Sequence, residues 1–172
     1  GRNNNWFDIQ MAPMSQYEDS TVSRIEMQDW PSGSGGCNMN IQFRNGSNGK
    51  YKNSKVYKNF ITPADAGKWM QVVYHLKASA TTSSNDGVIR MYRRWDGEFK
   101  FTLINDLSNL NVGIGAGSVS SGRLGWAAGY IMGYANTSYA TDTEWLLDSF
   151  TVSDTSLLTL VTPKSPTTLS TQ

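Results

Sequence analysis

The sequence predicts an all-β protein: an antiparallel two-sheet β-sandwich, with one short helical turn near residues 63–67. Three observations predict it. Apolar and polar residues alternate with a period of two in stretch after stretch, while helical periodicity is missing. Turn-forming Gly, Ser, Thr and Asn recur between those stretches. Aromatic residues reach 12%, a composition that fits pleated, half-buried surfaces.

Taken in chain order, TVSRIEMQDW (21–30) alternates Ile25 and Met27 against Arg24, Glu26 and Gln28. CNMNIQFR (37–44) sets Met39, Ile41 and Phe43 against Asn38, Asn40, Gln42 and Arg44. TPADAGKW (62–69) breaks the pattern, since Thr62 can cap a single helical turn with Pro63 at its first position. Strands are expected at 69–78 and 88–95, joined by the polar loop SATTSSNDG and followed by a turn at Asp96-Gly97. KFTLIN and NVGIGA are shorter candidates, and GWAAGYIMGYAN (125–136) and EWLLDSFTVS (144–153) complete the set. So many short strands need two packed sheets, a sandwich or jelly roll, because one sheet alone leaves its oily face in water.

At 172 residues the chain fits one domain with a substantial core, expected over 1–155, with TPKSPTTLSTQ closing an extended tail over 156–172. The formal charge of +1 gives no basic field for nucleic acid. Cys37 is the lone cysteine, so no internal disulfide forms, and without a histidine or second cysteine nearby it is no zinc site. No run approaches the roughly 18 apolar residues of a membrane span. The opening GRNNNWFDIQ carries no signal-peptide pattern and begins abruptly, as a trimmed product does.

The chain's one histidine lies in QVVYHLKA (71–78). As a strand this stretch turns Met70, Val72, Tyr74 and Leu76 to a core, and Trp69, Gln71, Val73, His75 and Lys77 to the other face. Pairing Leu76 with Ile89 puts Tyr74 opposite Met91, His75 opposite Arg90 and Val73 opposite Tyr92. A one-residue slip would turn the apolar set outward. The polar face then presents Gln71, His75, Lys77, Arg90, Tyr92 and Arg94. Like charges across a ladder destabilise it, so a carboxylate such as that of Glu26, or an acidic substrate, is expected to offset the cations.

GKWMQVVYHLKA, the loop after it, DGVIRMYRRWDGE and GYIMGYANTSYATDTEWLLDSFTVS together resemble, over roughly residues 21–153, the concanavalin A-like jelly roll of polysaccharide lyases of the alginate and glucuronan type. The resemblance implies an acidic polysaccharide bound across a concave sheet and cleaved by β-elimination. SRIEMQ is similar to the family's Arg-x-Glu strand at Arg24 and Glu26, with Gln28 where a second arginine is usual. VYHL places His75 in the family's Gln-x-His strand, with Val73 in the glutamine position. YIMGYAN is similar to the family's tyrosine strand through Tyr130 and Tyr134, with Met132 where lysine is usual.

On that resemblance His75 is the base, Arg24 or Arg90 holds the uronate carboxylate, and Tyr134 is the acid. Substrate contacts fall to Glu26, Gln28, Gln42, Gln71, Lys77, Tyr92, Arg94 and Tyr130. The chemistry suits the residue types: imidazole titrates near neutrality, and a cation stabilises the enolate that forms when the proton beside a carboxylate is removed. No cofactor is expected. Asp86, Asp96, Asp142 and Asp148 are oxygen donors for calcium, but no compact Asp-x-Asp-x-Asp run occurs. Asn45-Gly46-Ser47 and Asn136-Thr137-Ser138 match the glycosylation acceptor pattern. An extracellular or surface-exposed setting is expected.

The competing expectation is a non-catalytic carbohydrate-binding or structural surface module. Aromatics on a rigid sheet stack on sugar rings, and Asn38, Asn40 and Gln42 can bond hydroxyls with no proton transfer. A catalytic site needs His75 and one of Tyr92, Tyr130 or Tyr134 on a single groove; a lectin does not.

Overall fold

Alternation along CNMNIQFR becomes a strand whose Cys37, Met39, Ile41 and Phe43 are all buried, and the rest of the architecture is arranged around that apolar row. The computed structural model describes residues 4–10, 21–28, 36–44, 51–81, 83–112, 128–135 and 146–159. Among them the strands are β1 (Asn4–Gln10), β2 (Thr21–Gln28), β3 (Cys37–Arg44), β4 (Tyr51–Asn53), β5 (Tyr57–Ile61), β6 (Met70–Lys77), β7 (Gly87–Trp95), β8 (Thr102–Leu110) and β9 (Ala128–Ala135).

Two antiparallel sheets result. The first has the order β4-β3-β2-β1-β9, with β5 also on β3; the second is β6-β7-β8. Cys37, Met39, Ile41, Phe43 and Phe60 of the first sheet meet Ile89, Met91, Ile104 and Leu110 of the second, with Val112, in one hydrophobic cluster. Burying a side chain of this size stabilises by ~1.5–3 kcal/mol, so this cluster is what holds the sheets together. Met70, Val72, Tyr74 and Leu76 pack against it, as their alternation predicts.

Two polar contacts cross the same interface. Ser54 Oγ accepts from Ile41 N at 2.8 Å and from Asn105 Nδ2 at 3.1 Å, tying β3 to β8. Arg93 enters from β7, donates to the Phe60 carbonyl, and lies over the rings of Tyr57, Phe60 and Trp95 at 5.9, 5.3 and 5.2 Å. A guanidinium is tolerated there because three aromatic faces and a carbonyl replace part of its water.

The β6–β7 register is the one the sequence predicts: Leu76 with Ile89, His75 with Arg90, Tyr74 with Met91 and Val73 with Tyr92. The expected helical turn is a 3-10 turn at Pro63–Asp65, held by Asp65 Oδ2, which accepts from Thr62 N at 2.9 Å and Thr62 Oγ1 at 2.8 Å.

Other expectations are corrected. KFTLIN is part of a longer strand, because pairing with β7 continues through Asp106 and Leu107 to Leu110 despite the polar sequence. Over 146–153 no ladder forms, and Leu146, Leu147, Phe150 and Val152 stand exposed; alternation makes a strand only where an edge is there to pair with. Three strands went unread. β1 is rich in asparagine, whereas β4 and β5 carry Lys52, Lys58 and Asn59 on exposed positions, the polar dressing of a sheet edge. The 113–116 part of NVGIGA, Asn45, Asn136, Asp142 and the tail from 160 lie outside the described residues.

Candidate functional site

The sequence-predicted residues sort into two groups. Gln71, His75, Lys77, Arg90, Tyr92 and Arg94 belong to β6 and β7 of the three-stranded sheet. Arg24, Glu26, Gln28, Gln42, Tyr130 and Tyr134 belong to β2, β3 and β9 of the larger one. Backbone register aligns Tyr130, Asp8, Arg24, Gln42 and Asn53 in one row across five strands. A second row runs Tyr134, Asn5, Glu26, Asn40, and Gln28 is registered with Asn38. The set His75, Arg24 and Tyr134 is therefore divided between the sheets.

On the smaller sheet, Tyr74 and Leu76 pack on the core while His75 between them is exposed. It sits directly across from Arg90, which is registered in turn with Asp106. Side chains so paired have Cβ atoms ~4.5–5.5 Å apart. Arg90 Nε donates to Asp106 Oδ1 at 2.7 Å, and that bond holds the guanidinium even more firmly in its charged form. Among the described residues nothing bonds its two terminal nitrogens. A guanidinium anchored through Nε is a fixed fork for a carboxylate. Tyr92, two positions along β7, lies on the same face, diagonal to His75. Tyr92 thus takes the place beside the imidazole that the resemblance assigns to Tyr134; the register of the hairpin carried that signal.

The cations are offset from within the sheet. Lys77 Nζ bonds Asp86 Oδ2 and the Asp86 carbonyl, both at 3.0 Å, and Asp86 Oδ1 accepts from Ala80 N at 3.0 Å. These donors, the Ala80 amide first, then Ser84 and Lys77, hold the Asp86 carboxyl far below its ordinary range. Asp86 and Asp106 neutralise Lys77 and Arg90, each carboxylate adjacent to its cation at the hairpin's mouth or along the ladder, while Glu26 belongs to a strand of the other sheet. Arg94 was expected on an open face, yet it is 5% exposed: it bonds Gln71 Oε1 and lies 4.4 Å over the Phe101 ring. Asn40, offered as a sugar contact, is fully buried, and Asn38 Oδ1 accepts from Asn59 N at 2.9 Å.

Among the described residues no three His, Cys, Asp or Glu side chains gather as a metal site, and no helix is long and apolar enough to cross a membrane. No family model matches the chain, and no curated protein or solved structure matches it.

Proposed function

We propose that this chain is a concanavalin A-like jelly roll that engages an acidic polysaccharide around the exposed His75 on the β6–β7 face, with β-elimination as its specific reaction. One observation carries the reading: His75, Arg90 and Tyr92 share a single face, with Arg90 held to Asp106 through Nε. In the proposed reaction Arg90 binds the uronate carboxylate and the His75 imidazole takes the C5 proton. Electrons of that C–H bond form the C4–C5 double bond as the C4–O bond breaks. The Tyr92 hydroxyl protonates the departing oxygen. An extracellular or surface-exposed setting, where such polymers occur, belongs to the same reading.

A second reading, a non-catalytic binding module, is favoured by two features. Lys77 and Arg90 already have carboxylate partners, and Arg24 and Tyr134 belong to the other sheet.

Incubation with alginate, polyglucuronate and a neutral glucan separates the readings. Ultraviolet absorbance from new double bonds, lost in His75→Ala and Tyr92→Phe but kept in Tyr134→Phe, supports the lyase site on β6–β7. Retardation in affinity electrophoresis without new double bonds supports the module. Neither signal on any polymer removes polysaccharide from the reading altogether.

A further inference from the structure

Four large apolar side chains crowd one segment that forms no ladder: Leu146, Leu147, Phe150 and Val152 are 60%, 55%, 61% and 81% exposed. Soluble domains rarely leave such a run in water, and where they do it marks a contact surface. In extended form the segment puts Leu146, Phe150 and Val152 on one face together with Asp148 and Asp154. It is also purely acidic. From 124 to 163 the sequence carries Asp142, Glu144, Asp148 and Asp154 and no lysine or arginine.

The opposite character belongs to the outer edge of the larger sheet. From 30 to 64 the sequence holds Arg44, Lys50, Lys52, Lys55 and Lys58 and no carboxylate side chain. β4 and β5 both pair with β3, and among the described residues no strand pairs with their other side. Lys52, Lys55 and Lys58 are exposed along that edge, with Val56 37% exposed among them. Lys77 and Arg90 have carboxylate partners; among the described residues these three lysines have none.

We infer that 146–153 of one copy adds as a strand to the β4–β5 edge of a second copy, so that the chain self-associates. Within one copy the segment stands exposed, so the contact is made between copies. The edge over 51–58 and the segment are the same length in residues, and beyond Lys58 the Phe60 carbonyl is already held by Arg93. Register places Lys52 opposite Phe43, on the face that holds the core. A strand added outside β4 with its apolar face turned the same way continues that face with Leu146, Phe150 and Val152. It also brings an aspartate of the segment beside Lys52. Edge lysines ordinarily keep foreign strands away; an acidic strand is the kind they admit. A two-fold pair makes the contact twice.

Light scattering across protein concentration tests the contact on four proteins. These are wild type, Phe150→Ser with Val152→Ser, a triple variant Lys52→Glu, Lys55→Glu and Lys58→Glu, and that triple variant combined with Asp148→Lys and Asp154→Lys. All the changes fall on exposed positions, and a slow-reacting Cys37 thiol reports an intact fold in each. Wild type is expected to rise from the mass of one copy to that of two. The serine variant and the triple variant each weaken association about tenfold or more. Reversal of charge on both surfaces restores it to within about threefold of wild type. The mass of one copy at every concentration, equal association in all four proteins, or no recovery in the doubly reversed protein each overturns the inference. So does monomeric wild type that binds phosphatidylcholine vesicles through Phe150 and Val152, which makes the segment a lipid contact.

Discussion

Arg90 and Asp106 face each other across the β7–β8 ladder and are joined by a 2.7 Å bond from Nε to Oδ1. With the two side chains 34% and 44% exposed, water and salt screen the pair and it adds little to stability. Its importance lies in orientation. Asp106→Ala is expected to leave the thermal midpoint nearly unchanged while weakening alginate or polyglucuronate affinity severalfold, measured by affinity electrophoresis. Tighter binding in the variant would show that Asp106 competes with the ligand for Arg90, contrary to the bracing role.

Gly87 opens β7 where the chain has no space for a side chain. A Cβ there meets Val112 Cγ2 at 2.6 Å, the Leu110 carbonyl at 2.8 Å and Ser79 Oγ at 2.9 Å. Ser79 is itself fixed, donating to Leu110 O at 2.8 Å and accepting from Val112 N at 2.9 Å. Gly87→Ala is expected to cost ~1–3 kcal/mol by overpacking, read as a lower urea midpoint. An unchanged midpoint would mean this junction yields easily.

Acid is expected to weaken the fold through two carboxylates held below their ordinary value of 3.8. For Asp65, partial burial pushes upward but is outweighed by hydrogen bonds from the Thr62 hydroxyl and amide, with Lys68 and Arg93 nearby. For Asp86 the Ala80 amide, Ser84 and Lys77 act together. A lowered folded value means the contribution is present above the unfolded value near ~3.9 and lost as pH falls through the folded one. The urea midpoint should therefore drop between pH 6 and pH 3, roughly, and drop less in the Asp65→Asn, Asp86→Asn double variant. An equal drop in both proteins assigns the acid sensitivity to other groups.

Cys37 is buried on β3, and burial pushes its thiol up to about 11, against a hydrogen bond with the Ile61 backbone that lowers it. Native protein at pH 8 is expected to react with a thiol reagent more than ~100-fold slower than urea-unfolded protein. Comparable rates would place the sulfur in reach of solvent.

Much of the fold is legible in the chain because a strand with one oily face has one way to sit. Ile89, Met91, Tyr74 and Leu76 allow a single β6–β7 register, and that register alone places His75 opposite Arg90. β4 and β5 escaped because an edge strand buries little: of Tyr57–Ile61 only Phe60 is fully covered. The stretch at 144–153 misled for the converse reason, since its alternation is real but no edge pairs with its described part.

By itself the sequence determined which face of each strand is oily and which neighbours meet across a hairpin, because both follow from a two-residue repeat and short connections. Tertiary structure alone decided which strands share a sheet, and so separated Arg24 and Tyr134 from His75. It also set Asp86 beside Lys77 and Asp106 beside Arg90. Sheet membership depends on contacts between residues distant along the chain, whose closure no local pattern encodes.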